Sequence, residues 1–246
     1  METIGLLKKE DTIGEIVTSD YRKAQVFKSF GIDFCCGGKK TVAEVCEKKG
    51  MDPDVVINAL SRLDAQDSTN ENEQSKWNIA FLADYIVNTH HEYVKENIPF
   101  MTELAEKVAR VHGAEHPELI KVAELFNVVA NELTSHLMKE EGMLFPFIKV
   151  LHAAQINGTP VPPAVFGDVS NPIQMMESEH EQAGDILRNI REITNNFALP
   201  AGACNSYTIL FKKLDEFEND LHRHVHLENN ILFPKTLSIT KELELK

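Results

Sequence analysis

Two segments of this chain repeat one pattern 88 residues apart, and that repeat limits the fold more than any other feature. Residues 136–146 read His-Leu-Met-Lys-Glu-Glu-Gly-Met-Leu-Phe-Pro, and residues 224–234 read His-Val-His-Leu-Glu-Asn-Asn-Ile-Leu-Phe-Pro. Both are His-x-x-x-Glu-x-x-x-Leu-Phe-Pro. Upstream, His91-Glu92 and His180-Glu181 recur at an offset of 89. Residues four apart share one face of a helix, so His136 converges with Glu140 and His224 with Glu228. The C-terminal part of the chain therefore reads as two helical hairpins in tandem. Each carries one histidine on its first helix and His-x-x-x-Glu on its second.

The amphipathic pattern places four long helices near 77–111, 117–153, 172–196 and 205–237. His116-Pro117, the stretch from Gly158 to Pro172, and Leu199 to Gly202 punctuate them. Four such helices with mostly short connections predict an all-α antiparallel four-helix bundle. Residues 11–66 predict several shorter helices. Thr12 with Glu15 and Thr41 with Glu44 fit capping boxes, Asp52-Pro53 fits a helix start, and Gly31 and Gly50 fall where helices end. Gln66 to Lys76 contains no apolar residue and reads as a linker. The expected domains are 1–66, a small helical unit; 67–76, a linker; and 77–246, the bundle.

Charge supports the division. Residues 1–66 hold 10 basic against 11 acidic side chains, whereas 67–246 hold 15 against 27. A net charge of −13 disfavours nucleic acid as a partner, because a polyanion is repelled. No apolar run approaches the ~18 residues of a membrane span, and the N-terminus lacks the apolar core of a signal peptide. A cytoplasmic protein with reduced thiols and no membrane partner is expected.

Flanking residues Leu137, Leu144 and Phe145, and Val225, Leu232 and Phe233, suggest that both His-x-x-x-Glu faces turn inward. Buried polar groups need partners, and cations satisfy imidazoles and carboxylates together. Six ligands could crowd one octahedral ion, but the pseudo-twofold repeat favours two. If each Glu bridges, each metal takes two His and one oxygen bridges both, about ten of about twelve octahedral positions are filled, a mixed set that suits iron. A structural zinc site would prefer four ligands, often thiolates. Ferritin-like bundles use Glu-x-x-His, so this chain belongs to another lineage. Glu132 and Asp220, each four residues before a motif histidine, and Glu179, beside His180, are candidates to orient rings or relay protons. His90, His112, His116, His152, His222 and His226 fall outside the symmetric set and read as surface or packing residues.

The small unit carries Asp33-Phe-Cys35-Cys36-Gly37-Gly38-Lys39. The glycines permit close backbone approach. Lys39, Lys40 and the helix start near Thr41 are expected to lower a thiol pKa, leaving Cys35 and Cys36 able to bind metal, transfer iron or cycle through oxidation. Cys46 and Cys204 read as structural.

That motif, Met176-Glu-Ser-Glu-His180-Glu and the two His-x-x-x-Glu-x-x-x-Leu-Phe-Pro segments resemble the repair-of-iron-centres family, a hemerythrin-like bundle with an N-terminal Cys-Cys domain. The resemblance spans nearly the whole chain. It implies two non-haem iron ions, oxo- or hydroxo-bridged, held by His91, His136, Glu140, His180, His224 and Glu228. It also implies carboxylates at the positions of Glu132 and Glu179. Adjacent His90 and His91 leave the single histidine of the first helix ambiguous, and spacing favours His91. Oxygen-carrying hemerythrins use a set richer in histidine. The implied role is repair of iron–sulfur clusters damaged by nitrosative or oxidative stress, through iron donation, with nitric oxide reduction to nitrous oxide at the centre. Glu132 or Glu179 would relay protons, and Cys35 and Cys36 would dock or relay iron. Implied partners are damaged iron–sulfur proteins, with nitric oxide or dioxygen as small ligands, and the small unit is a candidate surface for pairing two chains. A reversible sensor or carrier of dioxygen or nitric oxide is the alternative, and a metal-free or zinc-bound interaction bundle is a third reading.

Overall fold

The computed structural model describes residues 7–64, 73–161 and 163–244, so most of the expected linker lies outside the described residues. The small unit comprises α1 (Ile13–Ser19), α2 (Lys23–Ser29), α3 (Val42–Lys49) and α4 (Pro53–Asp64). Both expected capping boxes form, so Thr12 and Thr41 each accept from the third backbone N–H while Glu15 and Glu44 reach back. The two caps face each other in an isolated bridge between Thr12 and Thr41. Gly50 ends α3 at φ 64°, a left-handed position that a side chain resists. Ile13, Val17, Phe27, Val42, Cys46, Val56 and Leu60 are buried at its centre.

The bundle contains α5 (Ile79–Ile86), α6 (Glu92–His112), α7 (Glu118–Lys139), α8 (Phe145–Asn157), α9 (Ser170–Ile193), α10 (Asn205–Leu227) and α11 (Phe233–Glu244). These follow the four predicted helices, with the last running on to Glu244. The third ends at Ile193, just before Asn195, Asn196 and Phe197, all at positive φ, which a right-handed helix cannot continue through. Among the described residues no strand forms, and no helix is long and apolar enough to cross a membrane.

Three of the four long helices are interrupted, a feature that periodicity did not reveal. Single π-helical turns occupy Val87–His91, Glu140–Leu144 and Glu228–Leu232. In each, a backbone N–H reaches the carbonyl five residues back: Glu92 to Val87, Phe145 to Glu140 and Phe233 to Glu228. Pro146 and Pro234 stand two residues beyond the ends of the second and third turns. A proline lacks the N–H and crowds the turn before it, which favours a widened ladder there.

The apolar core divides in two around the level of these turns. One cluster holds Leu82, Ile86, Leu144, Phe145, Ile148, Ile173, Leu232 and Phe233. The other holds Met101, Phe126, Leu133, Leu187, Leu214 and Phe217, and continues into the small unit through Phe27 and Phe34. The small unit is thus packed on the bundle. Lys39 Nζ meets Glu177 at 2.6 Å, and the Arg223 guanidinium lies 3.7 Å over the Tyr21 ring. The end of the linker is tied down too: Glu73–Lys76 form a 3₁₀ turn, and Lys235 Nζ bonds the Trp77 carbonyl at 2.7 Å.

Phe126 is fully buried with its ring edge-on to Phe217 at 5.6 Å. Phe126→Ala is expected to cost about 3–5 kcal/mol, read as a lowered urea midpoint. Val165, 92% exposed, serves as the contrast: Val165→Ala is expected to stay within about 0.5 kcal/mol. Equal effects at the two positions would contradict the assigned core.

Candidate metal centre

The six residues singled out by the repeat meet in one buried layer. His91, His136, Glu140, His180, His224 and Glu228 are each at most 2% exposed. Their Nε2 atoms point inward in two pairs, His91 with His224 at 3.1 Å and His136 with His180 at 3.0 Å. Both carboxylates lie between the pairs. Glu140 Oε2 is 3.4 Å from His91 Nε2 and 3.3 Å from His136 Nε2. Glu228 Oε1 is 2.9 Å from His224 Nε2, and its Oε2 is 3.1 Å from His180 Nε2. Two donor quartets result: His91, Glu140, His224, Glu228 and His136, Glu140, His180, Glu228. They share both glutamates. The adjacent histidines of the first helix resolve here, because His91 enters the layer while His90 bonds Asp220 at 2.9 Å.

The electrostatics of this layer invite positive charge. Neither oxygen of Glu140 receives a hydrogen bond, nor does Glu228 Oε2, although both side chains are fully buried. An uncompensated buried carboxylate is costly. Burial and the neighbouring Glu228 push Glu140 up, but His136 and His91 outweigh them and hold it at about 2. Burial likewise opposes a charge on His91 and His136, yet Glu140 and Glu228 raise them to about 10 and about 9. Two carboxylates locked as anions among four imidazoles need cations, and protons or metal ions can supply that charge. The donor set, mixed imidazole and carboxylate with no thiolate, suits iron.

The outer nitrogens of the rings are held by groups that follow the same repeat. His91 Nδ1 pairs with Glu141 Oε1 at 2.8 Å, and His180 Nδ1 with Asn229 Oδ1 at 2.9 Å. Glu141 and Asn229 each follow a motif glutamate, at the offset of 88. Sequence reasoning missed both, because an α-helix turns neighbours about 100° apart. The π turns begin at Glu140 and Glu228 and let two successive side chains serve one layer. Their equivalence in the repeat was the available signal.

The remaining expectations fare differently. Glu179 Oε2 holds His136 Nδ1 at 2.9 Å, and its Oε1 is paired with Lys139. Glu132 is exposed and touches no ring; it lines a cavity of about 340 Å³ together with Glu179, Lys139 and His136. Asp220, its counterpart in the repeat, lines a second cavity of about 490 Å³ with His90, Tyr93 and Arg223. His90 stacks on His224 with ring centroids 5.7 Å apart. His226 is fully buried, and burial and then Arg223 push it down to about 3, which makes it a neutral packing residue.

Cys35 and Cys36 lie where the small unit meets the bundle, with their sulfurs 3.9 Å apart and both thiols free. The expected depression of a thiol pKa is not found at Cys35. Its hydrogen bond to Cys36, burial, and the charges of Cys36 and Asp33 push the Cys35 thiol well up, while Lys39 is engaged with Glu177. Asp33 Oδ1 accepts from the backbone N–H of Cys35 and of Cys36, both at 3.0 Å. The glycines permit close approach as expected. A Cβ on Gly38 would stand 2.2 Å from Asn230 Oδ1, and one on Gly37 would stand 2.6 Å from the Asp33 carbonyl oxygen.

Two family models match the chain. A hemerythrin HHE cation binding domain matches residues 82–236, and a domain of unknown function matches residues 9–64. Similar proteins span nearly the whole length. Iron-sulfur cluster repair protein YtfE of Musicola paradisiaca (strain Ech703) is 35% identical over 232 residues, covering 93% of this chain and 97% of that protein. Proteins of the same name from Escherichia coli O81 (strain ED1a) and Escherichia fergusonii are 35% identical over 231 residues, covering 94% of this chain and 98% of theirs. The buried histidine–glutamate layer, the all-helical bundle and these end-to-end matches place the chain in the hemerythrin HHE cation-binding family, among the iron–sulfur cluster repair proteins of the YtfE type.

Proposed function

We propose that this chain is a di-iron protein that restores iron–sulfur clusters damaged by nitrosative or oxidative stress, chiefly by donating iron. The observation that carries the reading is the pair of donor quartets sharing Glu140 and Glu228. His91 and His224 would hold one iron, His136 and His180 the other, and the two carboxylates would bridge them. The names of the relatives support the repair role. Bound iron would supply open coordination positions for a diatomic ligand such as nitric oxide, and an iron supply for a damaged cluster.

The protein's own groups set the conditions. Glu141, Glu179 and Asn229 fix three of the four rings from behind, with the inner nitrogens facing the layer. Phe145 and Phe233 stack on His91 and His180 and exclude water from that side. Glu179 joins a ring nitrogen to the 340 Å³ cavity, so protons for nitric oxide reduction would pass by way of Glu179, with Glu132 at the same cavity. Cys35, buried beside the bundle, and Cys36, more open, sit on the loop that reaches Asn229 behind His180, and would receive an outgoing iron ion. We assign residues 1–66 to the thiol-bearing domain, 67–76 to the linker and 77–246 to the iron-holding bundle.

The direct experiment is iron stoichiometry with Mössbauer spectra on the full chain and on the double variant His136→Ala/His224→Ala. Two coupled irons per chain are expected, and the double variant is expected to lose them. One iron, or none, in chain loaded without oxygen or chelators would overturn the reading. Transfer is read by reactivating a cluster-damaged dehydratase with loaded protein, and the unloaded protein is expected to give none. Glu141→Ala removes the partner of His91 without touching the inner layer. It is expected to weaken iron retention about 10- to 100-fold in a chelator competition, and unchanged retention would contradict the role given to Glu141.

A further inference from the structure

The two halves of the metal layer are related by the repeat, and one place where they differ is the residue after each motif glutamate. In the first half Glu141, a carboxylate, holds the outer nitrogen of His91. In the second half the equivalent residue is Asn229, a neutral amide, and it holds His180. Glu141 is part-exposed and also takes a hydrogen bond from Lys95 at 2.9 Å. Asn229 is 6% exposed and faces the small domain: its Nδ2 reaches the Cys35 carbonyl oxygen at 3.5 Å. The departure from symmetry thus falls where the thiol loop docks.

The polarity of these groups explains the change. A carbonyl oxygen only accepts, so the amide atom facing Cys35 is the N–H donor. That leaves Asn229 Oδ1 facing His180, whose Nδ1 must then carry the proton. Its Nε2 lone pair is left for the layer, 3.0 Å from His136 Nε2 and 3.1 Å from Glu228 Oε2. A glutamate at 229 could hold the ring, but it would set a second acceptor against the Cys35 carbonyl. Asn230 reinforces the joint, donating to the Phe34 carbonyl at 3.2 Å. Gly14 and Gly38 make room for it, since a Cβ on either would lie 2.5 Å or 2.2 Å from Asn230 Oδ1.

We propose that Asn229 is a positioning residue that couples the thiol loop of the small domain to the metal centre through His180. The closed loop, the Asn229 amide orientation and the metal-ready His180 ring form one state. Filling the centre therefore holds the Cys35 loop shut, and opening the loop loosens His180. In the repair reading, on which this inference rests, exposure of the thiols is thereby tied to release of iron.

Cys35 is 4% exposed, so its alkylation reports loop opening. The test is the rate of Cys35 alkylation by iodoacetamide in the full chain, without oxygen, iron-loaded against iron-depleted, followed by peptide mass spectrometry to separate it from Cys36. Loaded wild-type chain is expected to react about tenfold more slowly, within the usual range of coupling between sites. Asn229→Asp keeps an acceptor for His180 and removes the Asn229 donor to the Cys35 carbonyl, leaving the one from Asn230 at 3.5 Å. Compared at matched iron content, its loaded-to-depleted ratio is expected to fall to about one. Asn229→Leu removes both bonds and is expected to lose the ratio, alter the Mössbauer spectrum and release iron faster to a chelator. A wild-type ratio of one, or a wild-type ratio surviving in Asn229→Asp, would overturn the coupling. Iron measured on the same samples separates the two ideas. A wild-type chain that takes up no iron overturns the metal reading and the coupling with it, whereas a loaded chain with no effect on Cys35 overturns the coupling alone.

Discussion

Glu140 and Glu228 are fully buried carboxylates, and the rest of the structure is arranged around compensating them. An isolated ionised carboxylate in a protein interior costs several kcal/mol after relaxation. Four imidazoles from four helices surround this pair, and His136 and His91 hold Glu140 at about 2 even against its own burial and the repulsion of Glu228. Such a layer cannot be left half-made. The apolar clusters on either side keep water out and fix the helix spacing, so the core acts as the frame of a polar centre.

The π turns are the second condition. Each inserts an extra residue into the ladder at the level of the layer, at Val87–His91, Glu140–Leu144 and Glu228–Leu232. A regular helix would offer the layer a histidine and the glutamate four residues on. The widened turn adds the next residue, Glu141 or Asn229, as the group behind a ring on another helix. Pro146 and Pro234 belong to this device, since they relieve the ladder where it widens. The Leu-Phe-Pro half of the motif is therefore tied to the His-x-x-x-Glu half: Leu144, Phe145, Leu232 and Phe233 cap the layer with apolar surface while the prolines shape the turn.

Much of this was legible in the residues. The repeat pointed to all six inner side chains, because spacing matched to within one residue in two copies is hard to obtain from packing. Capping residues placed the starts of α1 and α3 for the same local reason in both cases. The misses have physical causes. Glu141 and Asn229 were invisible to a reading that assumed regular helices. Glu132 lies one turn from His136, but its side chain stays at the surface, where solvation costs less than burial. The expected activation of Cys35 failed because Lys39 reaches across to Glu177, leaving the thiol among Asp33, Cys36 and apolar neighbours. Docking of the small unit, through Gly38 against Asn230, depends on contacts far apart in sequence that no local pattern encodes.

We propose two iron ions in one buried layer, with Glu140 and Glu228 shared between them. Anomalous X-ray diffraction at the iron edge, on crystals of the iron-loaded full chain, tests it most directly. Two separate iron peaks are expected within the layer, one beside His91 and His224 and one beside His136 and His180, with both carboxylates lying between them. A single peak, or iron only at Cys35 and Cys36, would contradict it.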